Sequence, residues 1–386
     1  MKNVLCAAAL LLLLAVPLAV SAAPSNWMNE RNGNLLISDL SIPGTHDSGA
    51  RFEPFPGTAK CQNWTIDQQL NAGVRFLDIR CRHINDAFAI HHGSVYQNMN
   101  FDDVLNMVST FLSNNPTECV VMSVKEEYNA SNDTRTFAQT FDSYVAKNPG
   151  LWSLGSTIPT LGQVRGKIVL LRRFGGTSEG IDATNWADNA TFFNGSNLRV
   201  QDNYNVSSNN TKWNQIVSLF NETATGNAWN GVQYINFTSG VQSIIGIPNI
   251  TNVSNDINSR LYNYLIANPF TAPGRKYGIV AMDFADTDRC NALTNSVVFY
   301  QDVNYGGAMS SPLAKGSYTL AQLQAAGVPN DWASSCKIPA GWKVTIYQDD
   351  NFTGTSWDLY PDANLGQAYF TGYAGLNDAM TSVVIQ

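Results

Sequence analysis

Val74-Arg-Phe-Leu-Asp78-Ile-Arg80 is a short apolar run that ends on charged side chains. It decides the fold because the chain repeats the pattern. Ile42-Pro-Gly-Thr45 is followed by His46 and Asp47, and Ala87-Phe-Ala-Ile90 by His91 and His92. Cys119-Val-Val-Met-Ser-Val124 leads to Lys125, Lys167-Ile-Val-Leu-Leu171 to Arg172 and Arg173, Leu198-Arg-Val-Gln201 to Asp202, and Gly278-Ile-Val-Ala-Met282 to Asp283. Strands are predicted at about 37–42, 74–79, 87–91, 119–124, 168–172, 198–201, 233–237 and 278–282. Several are almost continuous in Val, Ile, Leu and Met, the composition of parallel strands covered on both faces. Closed into a (β/α)8 barrel, they bring their polar ends to one rim, where barrel enzymes do their chemistry.

The segments between the strands fit that reading. Stretches 101–113 and 134–146 carry helical apolar spacing, with Phe101, Val104, Leu105 and Val108 on one face. The Asn-, Ser- and Thr-rich stretch 185–212 predicts a loop. Little chain is left between Asp283 and Val297 for a last barrel helix.

Composition sets the outer limits. Residues 1–22 read as a signal peptide: Lys2, an apolar stretch from Cys6 to Val20, and a small-residue cleavage site near Ala22. A secreted protein is therefore expected. Without Lys2, 22 basic residues face 30 acidic ones, and no basic run is present, so the chain is expected to be a poor nucleic-acid binder. Any membrane contact must be local. Twelve Asn-X-Ser/Thr sequons, Asn63, Asn129, Asn205, Asn236 and Asn351 among them, suit a glycosylated surface if the host is a eukaryote. Five cysteines follow the signal, an odd number. Cys61–Cys81 and Cys290–Cys336 are plausible disulfides, and Cys119 is expected to be a buried free thiol. No Cys-x-x-Cys or His/Cys ligand spacing points to zinc.

The last ninety residues differ from the rest. They hold three Lys, seven Asp and no His, Arg or Glu, and they repeat internally. Tyr300-Gln-Asp-Val-Asn-Tyr305-Gly-Gly307 recurs 47 residues later as Tyr347-Gln-Asp-Asp-Asn-Phe352-Thr-Gly354. Asn330-Asp331-Trp-Ala-Ser334-Ser335 recurs at the same offset as Asn377-Asp378-Ala-Met-Thr381-Ser382. Short alternating strands predict a β-sandwich of two Greek keys. The expected domains are a barrel over 24–292 and an all-β Greek-key domain over 297–386, giving an α/β chain with a small sandwich appended.

Two histidines at the ends of different strands suit a paired general base and general acid. Asp78 and Arg80, two apart on a strand, share a face, and an arginine held by a carboxylate suits a phosphate. Lys125, Arg173, Asp202 and Tyr204 supply a second polar set matched to adjacent sugar or cyclitol hydroxyls.

Ser-Ile-Pro-Gly-Thr-His-Asp-Ser, Phe-Leu-Asp-Ile-Arg, His-His-Gly, Met-Ser-Val-Lys-Glu-Glu-Tyr, Val-Leu-Leu-Arg-Arg-Phe, Val-Gln-Asp-Asn-Tyr and Met-Asp-Phe, in that order, closely resemble the bacterial-type phosphatidylinositol-specific phospholipase C family over about residues 27–285. The resemblance implies a distorted TIM barrel that cleaves phosphatidylinositol to diacylglycerol and inositol 1,2-cyclic phosphate, as a phosphorus-oxygen lyase. It implies His46 as general base, His92 (next to Gly93) as general acid, and Arg80 as the cation on the phosphate. Asp47 would assist Arg80 and the leaving group, and Asp283 would orient His46. Lys125, Arg173, Asp202 and Tyr204 would bind inositol, with Asp78 bracing Arg80. Calcium-dependent relatives place a metal ligand where Arg80 stands, so no catalytic cofactor is expected. The partner implied is phosphatidylinositol or a glycosylphosphatidylinositol-type lipid at a membrane surface, met by a monomer. Phe52, Phe55 and Trp64 lie in a loop suited to that contact.

The C-terminal motifs resemble βγ-crystallin domains of the calcium-binding kind. That resemblance implies one calcium site at Asn330, Asp331 and Ser334, and another at Asn377, Asp378 and Thr381. The competing readings are another phosphodiesterase on the same barrel and a catalytically inactive inositide- or calcium-binding protein.

Overall fold

A computed structural model describes residues 25–31, 33–224, 231–268, 277–294, 297–308, 310, 313, 315–338, 342–360, 367–370 and 374–386. The signal segment predicted over 1–22 lies outside them. Seven strands run parallel, side by side: Ile168–Arg173, Val120–Glu126, Phe76–Ile84, Ile42–Thr45, Ile279–Met282, Gln233–Phe237 and Leu198–Gln201. Trp152–Ser153 and Ile181–Asp182 lie parallel on the free edge of the first, and Thr191–Asn194 runs antiparallel along the last. The strands and helices thus build a distorted TIM barrel whose ring is irregular at 181–194.

Two predicted strands turn out differently. Segment 37–42 holds a 3-10 turn, Ile37–Asp39, and the strand starts at Ile42. Gly44 lets that strand approach its neighbour, since a Cβ there would stand 2.8 Å from the Phe76 ring. Ala87–His92 is not a barrel strand. It folds back antiparallel onto the overlong end of Phe76–Ile84, pairing Cys81 with Ile90 and Ile84 with Ala87. The reason is the connection. Asn85 and Asp86, with φ of 53° and 57°, make a two-residue hairpin turn, and a parallel crossover needs a dozen or more residues.

Alternation along the strands divides the core. Ile42, Phe76, Val121, Val169, Ile235 and Ile279 pack inside the ring. Leu77, Ile79, Val120, Met122, Leu170 and Val280 face outward onto the helices. Phe101–Asn114 buries Val104 and Val108 in that layer, and Asp103 caps its first turn by accepting from the Asn100 N–H. Phe137–Val145 starts behind the Thr136 cap. The loop expected over 185–212 ends early: Ser208 accepts from the Thr211 N–H and opens the helix Asn209–Ala224. The last barrel helix, Thr287–Thr294, is two turns long.

The disulfides expected from the sequence do not form. All five described cysteines are buried free thiols. The proposed partners belong to different cores: Cys61 lies under the rim and Cys81 in the strand–helix layer, while Cys290 sits in the barrel and Cys336 in the C-terminal sandwich. Cys119 donates to the Met28 Sδ at 3.7 Å. The sequon residues Asn194 and Asn236 are buried, and Asn236 is held by Gln201 and the Ile216 carbonyl.

Beyond the barrel, the strands form two sheets. One contains Val298–Tyr300, Ser335–Lys337 and Gln367–Tyr369; the other contains Gly316–Tyr318, Ser382–Ile385, Val344–Asp349 and Thr353–Leu359. The repeats exchange strands. Gly316–Tyr318 of the first lies beside Ser382–Ile385 of the second, and Gln367–Tyr369 beside Ser335–Lys337. This is a βγ-crystallin-like double Greek key. The Tyr-to-Gly motifs fold into hairpins with positive φ at Asn304, Tyr305 and Gly307, and again at Asn351, Phe352 and Gly354. Gly307 is needed there, because a Cβ would stand 2.7 Å from the Asp302 carboxylate. The last residue of each acidic motif, a serine, locks its hairpin: Ser335 donates to the Asp302 carbonyl and Ser382 to the Asp349 carbonyl, both at 2.7 Å.

Candidate active site

Phe76, Asp78 and Arg80 alternate inward on one strand, so the ring is apolar at its base and charged at its mouth. At that mouth opens a pocket of about 480 Å3 lined by His46, Arg80, His92, Lys125, Arg173 and Asp202, among others. The Nδ1 of His46 donates to Asp283 Oδ1 at 2.8 Å, which leaves Nε2 to accept from Arg80 Nη2 at 2.9 Å. Burial by itself lowers the His46 pKa. The Asp283 carboxylate outweighs burial and the repulsion of Arg80, so the imidazole sits above its ordinary 6.5.

Arg80 is clamped. Its Nε donates to Asp78 Oδ2 at 3.1 Å and stands 3.8 Å from Asp47 Oδ2, while its Nη1 is 3.8 Å from Glu127. Burial opposes the charge, but these carboxylates raise the Arg80 pKa well above the usual arginine value. Asp78 also accepts from Ser123 and from Arg173 Nη1, and the two guanidiniums overcome burial to hold it far below the usual carboxylate range. Asp47 differs. It is 0 % exposed, its φ is 36°, and neither carboxylate oxygen has a hydrogen-bond partner. Burial raises its pKa, and Arg80 and His92 offset this only in part.

His92 reaches the pocket from the rim hairpin. Its Nδ1 donates to the Ala59 carbonyl at 2.6 Å and lies 3.8 Å from Asp47 Oδ2. His91, on the other face of that strand, packs at a tilt against the Tyr96 ring and does not line the pocket. His83 is tied to Thr140 and packed between Phe88 and Phe137. Across the pocket, Arg173 lays its guanidinium 3.8 Å from the centre of the Trp186 ring, and the indole Nε1 of Trp186 donates to Asp202 at 2.9 Å. The Tyr204 hydroxyl donates to Asp188 at 2.8 Å, and Lys125 pairs with Glu127 at 2.9 Å. All ten barrel residues singled out in the sequence therefore meet around this pocket or directly brace its walls.

Seven lining residues were missed, and three of them, Glu127, Trp186 and Asp188, carry charged or aromatic groups. Glu127 accepts from the Gly93 N–H and from Lys125. Burial raises its pKa, but Arg80 and Lys125 bring it down to about 2. Its spacing from Lys125, two residues on in an extended run, was the available signal. Trp186 and Asp188 lie in a loop with no periodic signal.

The six C-terminal residues gather at the hairpins, but not in the two sets expected. Ser334 donates to Asp378 at 3.3 Å, and Thr381 donates to Asn330 at 2.8 Å. Each cluster therefore takes its hydroxyl from the opposite repeat. The strand exchange causes this by bringing the start of one motif beside the end of the other. Asp331 and Asp378, at φ 53° and 54°, each accept from the amide of the preceding Asn.

The family model for the phosphatidylinositol-specific phospholipase C X domain matches residues 55–174. A 1-phosphatidylinositol phosphodiesterase of Staphylococcus aureus is 35% identical over 270 residues, covering 65% of this chain and 86% of that protein. A solved structure of the phosphatidylinositol-specific phospholipase C of the same species is 33% identical, covers 71% of this chain and 98% of that one, and superposes with a TM-score of 0.63. A βγ-crystallin domain from Clostridium beijerinckii is 49% identical, covering 24% of this chain and 100% of that one, with a TM-score of 0.21; the strand exchange, not that superposition, makes the C-terminal sheets βγ-crystallin-like. With this barrel and this length of shared sequence, the chain belongs to the phosphatidylinositol-specific phospholipase C family.

Proposed function

We propose that the chain cleaves phosphatidylinositol to diacylglycerol and inositol 1,2-cyclic phosphate, by proton transfer between His46 and His92 across Arg80. One observation carries the reading: two imidazoles from separate elements flank one clamped guanidinium at the mouth of one pocket. His46 Nε2, released from Arg80 when phosphate takes the guanidinium, removes the proton of the inositol 2-hydroxyl. The attack is intramolecular and gains a high effective molarity. Arg80, held by Asp78, meets the charge that develops on the phosphate. His92 returns a proton to the diacylglycerol oxygen, with Asp47 beside it. Lys125, Arg173, Asp202 and Tyr204 hold the inositol hydroxyls, and the Trp186 ring keeps Arg173 in place. Catalysis without a metal follows, because Arg80 supplies the positive charge at the phosphate. The test is incubation with phosphatidylinositol in excess chelator. Cyclic phosphate release is expected; turnover only after a divalent ion is added would sink this mechanism.

The lipid is met at a surface. Phe55 is 71 % exposed and Phe52 is also exposed, whereas Trp64 is half-buried. The neighbouring hairpin of Gln242–Ile244 and Ile247–Asn249 carries Ile245, 97 % exposed, at its tip. The Ile250 N–H donates to the Gly57 carbonyl, joining the two loops beside the pocket. Replacing Phe55 and Ile245 with Ser is expected to weaken binding to phosphatidylinositol vesicles; unchanged binding would exclude this rim as the contact. Among the described residues no helix is long and apolar enough to cross a membrane. With the signal segment, this supports an exported enzyme that visits the bilayer.

The C-terminal clusters suit calcium, since Asn330, Asp331, Ser334, Asn377, Asp378 and Thr381 present hard oxygen donors. Calcium held there would stabilise the sandwich.

A further inference from the structure

Cys61 belongs to no role described above, yet it lies directly behind the active site. It is 0 % exposed, at the start of the segment that runs under the rim. Its Sγ is 3.7 Å from the Ala59 carbonyl and 4.0 Å from His92 Nδ1. One carboxylate oxygen of Asp47, one ring nitrogen of His92 and the Cys61 sulfur all lie within 4.8 Å of one another. The carboxylate is the second, independent observation. Asp47 is fully buried, and neither oxygen receives a hydrogen bond.

We propose that Asp47, Cys61 and His92 form a binding site for a zinc-class divalent cation that switches the enzyme off.

The chemistry of the donor set selects the ion. One thiolate, one imidazole and one carboxylate suit zinc and its borderline-soft neighbours and disfavour calcium and magnesium, which take oxygen ligands. The spacing suits it too. Bonds of about 2.0–2.3 Å in a tetrahedral shell put ligand atoms roughly 3.3–3.6 Å apart. His92 Nδ1 is already 3.8 Å from Asp47 Oδ2 and 4.0 Å from Cys61 Sγ, so a few tenths of an ångström close those two edges, and the third, from Asp47 to Cys61, lies within 4.8 Å. The fourth position remains for water. A second triad, His46, Cys61 and Asp283, shares the same sulfur, but its imidazole and carboxylate are already bonded to each other at 2.8 Å. The unpartnered carboxylate makes Asp47–Cys61–His92 the open set.

On binding, the metal–sulfur bond forms as the Cys61 S–H proton leaves to solvent. His92 gives up its bond to the Ala59 carbonyl, shifts its proton from Nδ1 to Nε2 and donates the Nδ1 lone pair to the ion. The metal-bound imidazole keeps that Nε2 proton instead of cycling it, and Asp47 is taken from the leaving-group oxygen. Arg80, 3.8 Å from Asp47, opposes the incoming charge, so the site is expected to be weaker than a closed structural zinc site. The consequence for turnover rests on the mechanism proposed above; the binding does not.

The experiment uses cobalt(II) as an optical probe and zinc as the inhibitor, on the full exported chain. Wild-type protein is expected to show a thiolate-to-cobalt charge-transfer band in the near ultraviolet. Zinc should displace that band and lower turnover by about 10²-fold or more, the worth of a positioned proton donor, with recovery in chelator. Cys61→Ser should lose the band and the zinc sensitivity while its metal-free turnover is unchanged. Cys61→Ala, which adds no polar atom, must lose the band as well. Cobalt uptake by wild type without a thiolate band, or a band or zinc sensitivity that persists in either variant, overturns the proposal. The optical arm reads the site whether or not the metal-free chain acts on phosphatidylinositol, so the two readings fail separately.

Discussion

The barrel mouth and the C-terminal hairpins both concentrate charged and polar side chains, but they treat them in opposite ways. At the mouth, Asp78 is buried between Arg80 and Arg173, and the partly buried His46 stands between Asp283 and Arg80. Each charge is opposed by another, and Arg173 reaches Asp78, and Asp283 reaches His46, from strands far apart in the chain. At the hairpins, Asp331 and Asp378 lie at exposed turns and accept from the amide of the residue before them. The first arrangement moves pKa values and holds a cation at the mouth of the pocket. The second leaves carboxylate oxygens exposed to solvent beside neutral amide and hydroxyl donors. Burial and pairing shift pKa values, whereas exposed carboxylates keep oxygen atoms open to solvent.

The largest test of that contrast removes the proton carriers. His46→Ala and His92→Ala are each expected to cut turnover by about 10²- to 10⁴-fold with little change in melting temperature. Retained turnover in either variant would return the pocket to a mere binding role. Arg80→Lys comes next. The ammonium keeps the charge but not the planar fork, and a loss of roughly 10²-fold, in the range for one preorganised donor, is expected in kcat.

On the other side of the comparison, calcium should raise the melting temperature of the chain without changing its turnover. At a concentration about 100 times its Kd, the gain is about 2.7 kcal/mol. Asp331→Ala and Asp378→Ala should each diminish that rise, and a calcium-independent melt would leave the hairpins as turn caps only.

The finest test is the pH profile. His46 must be neutral to act as a base, and its pKa lies above 6.5, so kcat/KM should fall as pH drops through a value above 6.5. Asp283→Asn removes the carboxylate that favours the imidazolium, so the acidic limb should move to lower pH. A limb that stays in place would separate His46 from the titration.

Much of this was legible in the chain because strands announce themselves by composition and their ends by charge. The inward pair Asp78 and Arg80 follows from period-two alternation alone. The hidden part depended on closure. Nothing in the local pattern of Ala87–His92 distinguishes a barrel strand from a rim hairpin; the Asn85–Asp86 turn makes that choice, and only in three dimensions does it carry His92 to Asp47. Trp186 and Asp188 escaped because a loop has no period.

By itself, the sequence determined the strand runs, the charged ends, the internal repeat of the last ninety residues and the excess of acidic over basic side chains. All of these are local properties of side chains in order. Tertiary structure alone decided which charges compensate each other, that the five described cysteines stay unpaired, that the C-terminal polar clusters mix the two repeats, and that a thiol lies behind His92. Burial and distance set these, and both are established only when chain segments tens to hundreds of residues apart come to share one low-dielectric space.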